Sequence, residues 1–288
     1  MQTGPQRTRR RSEKTEIGLP MSSMRRTRLL RRGVLPTVMC MVAIVTVAAA
    51  GQSVSSGIEG AELVETKPLK GTVYHVQGLD LDGEHVWVTS VDKDGHKGYL
   101  HEFERKTGAL VRQVDVTDGP RFHAGGIQVW GDSIWVPVAE YKAHSSAVIE
   151  EIDKATLKVK RKIAVKDHVG SVAWTGSELV AGNWDTRQLY VLKPTGEVVR
   201  VLDNPSTDNF QDLKFVDGML VGSGVLSKTS GAVEWYRWPS MELVRRVEAG
   251  VTDKGRVFTE EGMAVKGRDL FLVPEDGPSR MFHFRLPD

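Results

Sequence analysis

One segment recurs five times along this chain, and a chain built that way must stack similar units side by side. Each copy reads as an apolar strand, a Gly or Asp turn and a second short apolar strand. The copies are Gln77-Gly78-Leu79 with Val86-Trp87-Val88, Gly125-Gly126-Ile127 with Ile134-Trp135-Val136, and Gly170-Ser171-Val172 with Leu179-Val180-Ala181. Two more are Gln211-Asp212-Leu213 with Leu220-Val221-Gly222, and Glu261-Gly262-Met263 with Leu270-Phe271-Leu272. The anchors Leu79, Ile127, Val172, Leu213 and Met263 are separated by 48, 45, 41 and 50 residues. In every copy the second strand begins seven residues after its anchor.

Two more strand-like stretches follow each pair. In the first copy they are 99–104 and 109–116, joined by the turn sequence Arg105-Lys106-Thr107-Gly108. Alternation such as Val159-Lys160-Arg161-Lys162-Ile163 marks edge strands with one face in water. Four antiparallel strands per repeat of about 40–50 residues define a propeller blade. The pattern therefore predicts an all-β, five-bladed β-propeller over 61–288. The fifth copy ends too early to supply its own outer strand. Ala61–Thr66, before the first copy, reads like the other outer strands and is expected to pair beside Arg280–Leu286, closing the ring.

The first fifty residues have a different character. Residues 1–33 carry ten Lys/Arg and two Asp/Glu, and residues 34–50 carry no charge and end in Ala48-Ala49-Ala50. A basic region, an apolar core and a small-residue end are the parts of a secretory signal. Residues 1–50 are thus expected to be removed and 51–60 to form a linker, with secretion or another extracytoplasmic site as the destination. The competing reading is an uncleaved anchor, the only expected tie to a membrane. Residues 51–288 hold 29 Lys/Arg and 35 Asp/Glu, an acidic balance that argues against a nucleic-acid partner. The single cysteine, Cys40, lies inside the apolar core, so no disulfide framework or multi-thiolate zinc site can form within the chain. The expected state is a monomer.

In a propeller, the start of each first strand and the end of each second strand open on one face. Four residues before the anchors stand His75, His123, His168, Asn209 and Thr259. Two before them stand Gln77, Gly125, Gly170, Gln211 and Glu261, and thirteen after them Asp92, Glu140, Asp185, Leu226 and Asp276. Three readings of the histidines stay open. They can be staples that hydrogen-bond loop carboxylates. They can bind a divalent metal, with His75, His123, His168, Glu140 and Asp185 as the candidate ligands. Or His123, His168 and Glu261 can act as acids and bases on an organic ligand, with His75, Gln77, Gln211 and Trp184 binding it. Trp87 and Trp135 occupy one strand-two position and are expected between blades. Asp92-Lys93-Asp94-Gly95 lacks the later ligands of a calcium loop and reads as a turn.

His75-Val76-Gln77-Gly78-Leu79, Gly125-Gly126-Ile127 with Trp130-Gly131-Asp132, and Asp212-Leu213 with Phe215 and Asp217-Gly218 resemble the blade starts of glutaminyl cyclotransferases, secreted five-bladed propellers. The similarity extends to uncharacterised secreted microbial propeller proteins, some labelled cycloisomerase-like. The resemblance implies the fold and carries that family's Q-G-L glutamine to Gln77. The family's catalytic glutamate falls on Gly125 and its N-E-L asparagine on Gln211, so the acid–base group of that reaction is missing. The expected function is an enzyme acting on a small polar molecule at the channel mouth, of lyase, cyclase or lactonase type. The alternative is a non-catalytic propeller that binds a ligand or protein and uses its histidines structurally.

Overall fold

A computed structural model describes residues 57–288, so the predicted signal lies outside the described residues. The described chain is all strand and turn. Among these residues no helix is long and apolar enough to cross a membrane. Strand β1 (Glu62–Pro68) precedes the first repeat. Blade one consists of β2 (His75–Asp82), β3 (His85–Asp92), β4 (Lys97–Glu104) and β5 (Leu110–Asp115). Blade two has a split inner strand, β6 (His123–Ala124) and β7 (Gln128–Trp130), followed by β8 (Ser133–Ala139), β9 (Ala147–Asp153) and β10 (Val159–Val165). Blade three is β11 (Ser171–Trp174), β12 (Leu179–Gly182), β13 (Gln188–Leu192) and β14 (Val198–Asp203). Blade four is β15 (Asn209–Val216), β16 (Met219–Ser227), β17 (Ser230–Arg237) and β18 (Glu242–Ala249).

Blade five contains β19 (Gly262–Lys266), β20 (Asp269–Val273) and β21 (Arg280–Arg285), and β1 completes it. The two outer strands pair antiparallel, with Thr66 opposite Phe282 and Pro68 opposite Arg280. The closure expected from sequence is therefore met, and it removes the open edge that β21 would otherwise present. The end of the expected linker, 57–60, lies against the ring. Ile58 is buried and bridges Ala249, and the Glu59 amide donates to the Glu248 carbonyl at 2.9 Å. An apolar side chain beside the free edge of β18 is better packed there than in water.

Neighbouring blades bury their facing side chains against each other. Leu79, Val86 and Phe103 of blade one pack with Ala264, Phe271 and Met281 of blade five. Trp87 and Trp135 are buried, as expected. The inner strands also converge on one carboxylate. Asp212 Oδ2 accepts the amides of Leu79 (3.1 Å) and Met263 (3.0 Å), and Oδ1 accepts the Leu213 amide (2.9 Å) and Lys214 Nζ. One side chain thus holds β2, β15 and β19 at the axis. Burial pushes Asp212 up to about 6, opposed by the Lys214 ammonium.

The gap between β6 and β7 has a steric cause. The Gly126 amide leaves its own sheet to donate to the Gly170 carbonyl of blade three at 2.8 Å. A Cβ on Gly125 would lie 2.0 Å from that same carbonyl oxygen. Only glycine permits this approach of two backbones. Gly125→Ala should therefore lower stability by about 1–3 kcal/mol, the usual range for overpacking. A urea midpoint equal to that of the parent would contradict the close approach.

Candidate functional site

The first-strand position two residues before each anchor lies off the regular ladder. The pairing of β2 with β3 shifts between Val76 and Gly78, so Gln77 is a bulge. The pairing of β15 with β16 shifts between Phe210 and Asp212, so Gln211 is another. Glu261 stands just before β19, and Gly170 just before β11. A bulge re-aims the side chain it carries. Here Gln77, Gln211 and Glu261 all reach one cavity of about 180 Å³ at the axis, also lined by His75, His123, His168, Tyr141, Trp184 and Phe210. Every ligand-binding and acid–base residue expected from sequence thus lines a single cavity.

Glu261 forms one wall. Gln77 Nε2 donates to its Oε2 at 3.0 Å and to the Val76 carbonyl at 2.8 Å. Its Oε1 stands 3.9 Å from His75 Nε2. Behind the imidazole, His75 Nδ1 lies 2.8 Å from Glu275 Oε2, which also accepts the Val76 amide at 3.1 Å. Burial pushes Glu261 well above the usual carboxylate range, helped by the nearby charges of Glu260 and Glu275. Burial would raise Glu275 too, but the bonds from His75 and Val76 outweigh it and hold that carboxyl low. The two carboxyls therefore differ: the hydrogen bonds to Glu275 favour its anion, and the burial of Glu261 favours its protonated form.

The opposite wall is aromatic. His168 is buried, and its Nδ1 lies 2.9 Å from the Glu140 backbone carbonyl. A carbonyl only accepts, so Nδ1 carries the hydrogen and Nε2 keeps its lone pair. His123 lies 5.0 Å from His168, ring centre to ring centre, and 4.9 Å from Tyr141. Its Nδ1 is buried and has no partner among the described residues. Trp184 stands edge-on to His168 at 4.6 Å. Burial lowers both histidines, His123 most strongly, where the charges of His168, His75 and Lys93 add to it. Both are neutral bases at pH 7.

Two of the expected metal ligands point elsewhere. Glu140 pairs with Lys142 at 2.9 Å and accepts Ser146 Oγ at 2.8 Å. Asp185 is exposed and accepts the Arg187 amide two residues on, at 3.2 Å. Each carboxylate is used within its own loop, so neither joins a three-histidine centre. The donor atoms that do cluster belong to His75, Glu261 and Glu275, all within 4.8 Å of one another. The staple reading is met for His75, whose partner is Glu275. It is not met for His168, which bonds a backbone carbonyl, nor for His123.

Sequence reasoning missed Tyr141, Phe210 and Glu275. Tyr141 and Glu275 sit on the loops after β8 and β20, one residue past and one residue short of the register position that was read. Phe210 directly precedes the bulged Gln211, a signal that could have found it.

The profile of a family of unknown function (DUF6454) matches residues 89–209. No curated protein matches the chain. Among solved structures, the PQQ-bound aldose sugar dehydrogenase of Streptomyces coelicolor is 12% identical, with 81% of this chain and 99% of that one covered and a TM-score of 0.44. The Pan2 WD40 domain of Neurospora crassa is 8% identical, covering 81% and 97%, with a TM-score of 0.47. A protein of unknown function from Bacteroides caccae is 10% identical, covering 76% and 80%, with a TM-score of 0.49. None of these likenesses bears on activity.

Proposed function

We propose that the axial cavity is the active site of a secreted enzyme that moves protons on a small polar molecule, in a reaction of lyase, cyclase or lactonase type. The observation that carries this reading is that Glu261 and His168 line one cavity, where burial pushes the Glu261 carboxyl well above the usual carboxylate range and lowers His168. Environments that separate the proton affinities of two groups assign the acid and the base. His168 Nε2 takes a proton from a carbon or hydroxyl of the substrate. Glu261 gives one to the oxygen that leaves or develops charge. The His75–Glu275 pair stands beside Glu261, 3.9 Å from its Oε1, and Gln77 holds its other oxygen. Trp184, Tyr141 and Phe210 supply the apolar surface that a small ligand needs.

Glutaminyl cyclotransferase activity has no support at the position where that family carries its glutamate. Gly125 stands there, and its backbone touches Gly170 too closely for any side chain. The basic and apolar stretch ending at Ala48–Ala50 supports export, and the closed ring supports a monomer.

The test is turnover of a panel of small lactones and hydroxy acids by the full chain, followed with a pH indicator. Activity is expected to survive dialysis against EDTA and to fall by about 10²–10⁴-fold in His168→Ala. Loss on EDTA treatment, restored by zinc, would instead assign the site to an ion held by His75, Glu261 and Glu275. Binding without turnover would favour the non-catalytic propeller.

A further inference from the structure

Lys93 belongs to the Asp92–Gly95 turn between β3 and β4, on the face where the cavity opens. Two aspartates flank it, yet among the described residues it makes no ion pair within 4.0 Å. Asp92 Oδ1 is occupied by the Gly95 amide at 2.9 Å. The Lys93 ammonium instead reaches across to blade two and stands 5.3 Å from the centre of the Tyr141 ring. Tyr141 lines the cavity and meets Trp184 at 85°, so the two rings form a corner at its mouth.

Three other cations near this face are engaged. Lys142 pairs with Glu140 at 2.9 Å, and Arg256 with Glu260 at 2.7 Å. Arg187 donates to the carbonyls of Ser206 and Asp208. Lys93 has only an aromatic face, a contact of modest strength at an exposed site.

Resting on the reading of this cavity as a ligand site, we infer that Lys93 is the cation that receives the carboxylate of a small anionic ligand, whose planar part lies in the corner of Tyr141 and Trp184. The ligand class is then a small carboxylic acid rather than a neutral sugar or an amine. A cation at this place also adds to the lowering of His123 and opposes the raising of Glu261. A cation at the rim orients an anion as it enters, and its pull weakens with salt.

Benzoate and benzamide make the probe pair, having one shape and differing in charge. Their binding to the full chain is measured by titration calorimetry at low salt. Benzoate should bind about five-fold more tightly than benzamide, a gap within the range of exposed ion pairs. Lys93→Gln should abolish that preference while leaving benzamide unchanged, and Lys93→Arg should keep it. Equal binding of the two probes, or an unchanged preference in Lys93→Gln, overturns the inference. Either result leaves the acid–base reading standing, because that reading rests on the pH and turnover behaviour of His168 and Glu261. Failure of both probes to bind overturns the inference as well, by removing the aromatic seat.

Discussion

Asp212→Ala should destabilise the protein by about 3–5 kcal/mol, the range for removing one partner of a buried ion pair. The carboxylate is wholly buried and accepts three backbone amides, those of Leu79, Leu213 and Met263, besides the Lys214 ammonium. Alanine would leave those amides without partners and Lys214 as an uncompensated charge, itself only 1% exposed. The loss would fall on blades one, four and five together. Asp212→Asn should cost clearly less. Burial already raises Asp212 to about 6, so its neutral form is near at hand, and asparagine keeps one acceptor oxygen. Urea unfolding of both variants reads the effect. A cost under about 1 kcal/mol for alanine would place it among ordinary surface changes and mean that the ring holds without this hub.

Glu261→Gln should abolish most of the turnover, by about 10²–10⁴-fold, while leaving the fold intact. Glutamine keeps the shape and can still accept from Gln77 Nε2, but it has no proton to give. The pH profile separates this from a structural effect. In the parent, activity requires His168 without its proton and Glu261 with it. The acid limb then reports His168, lowered by burial, and the alkaline limb reports Glu261, raised by burial. Residual activity of Glu261→Gln should keep the acid limb and lose the alkaline one. Stability should move in the opposite sense. A carboxyl whose folded pKa lies above its unfolded value stabilises the fold at low pH, and that contribution is lost as pH rises through the folded pKa. Glutamine cannot ionise, so the variant should lose less stability than the parent as pH rises through that region. A variant that keeps its turnover, or one that unfolds at neutral pH, would contradict this assignment.

The ring and its contents were legible for the same reason. Side chains at fixed offsets from Leu79, Ile127, Val172, Leu213 and Met263 must arrive at one level of one axis, because each blade repeats its strand geometry. His75, His123, His168, Gln77, Gln211 and Glu261 follow from that register alone. The bulges at Gln77 and Gln211 sharpened it by turning those side chains to the axis. Hairpin loops obey no such register. Glu140 and Asp185 share a repeat position but fold back on their own loops, whereas Tyr141 and Glu275, one position to either side, come to the site. Asp212 escaped notice for a different reason. Its role arises from three strands far apart in sequence, and nothing in Gln211-Asp212-Leu213 announces which amides will meet it. Of what the expected resemblance to glutaminyl cyclotransferases implied, only the five-bladed fold is met, and the contact of Gly125 with Gly170 leaves no room for the glutamate of that family.

The proton on Glu261 is the claim on which the function depends, and it can be measured without a substrate. The full chain, labelled with ¹³C at the glutamate side-chain carboxyls, is titrated by NMR, and the Glu261 signal is assigned as the one absent from Glu261→Gln. The carboxyl is expected to titrate well above the ordinary glutamate value of 4.5, and so to remain protonated where surface glutamates have ionised. Titration at or below that value would mean an anion faces the cavity, and Glu261 would then not be the acid of this site.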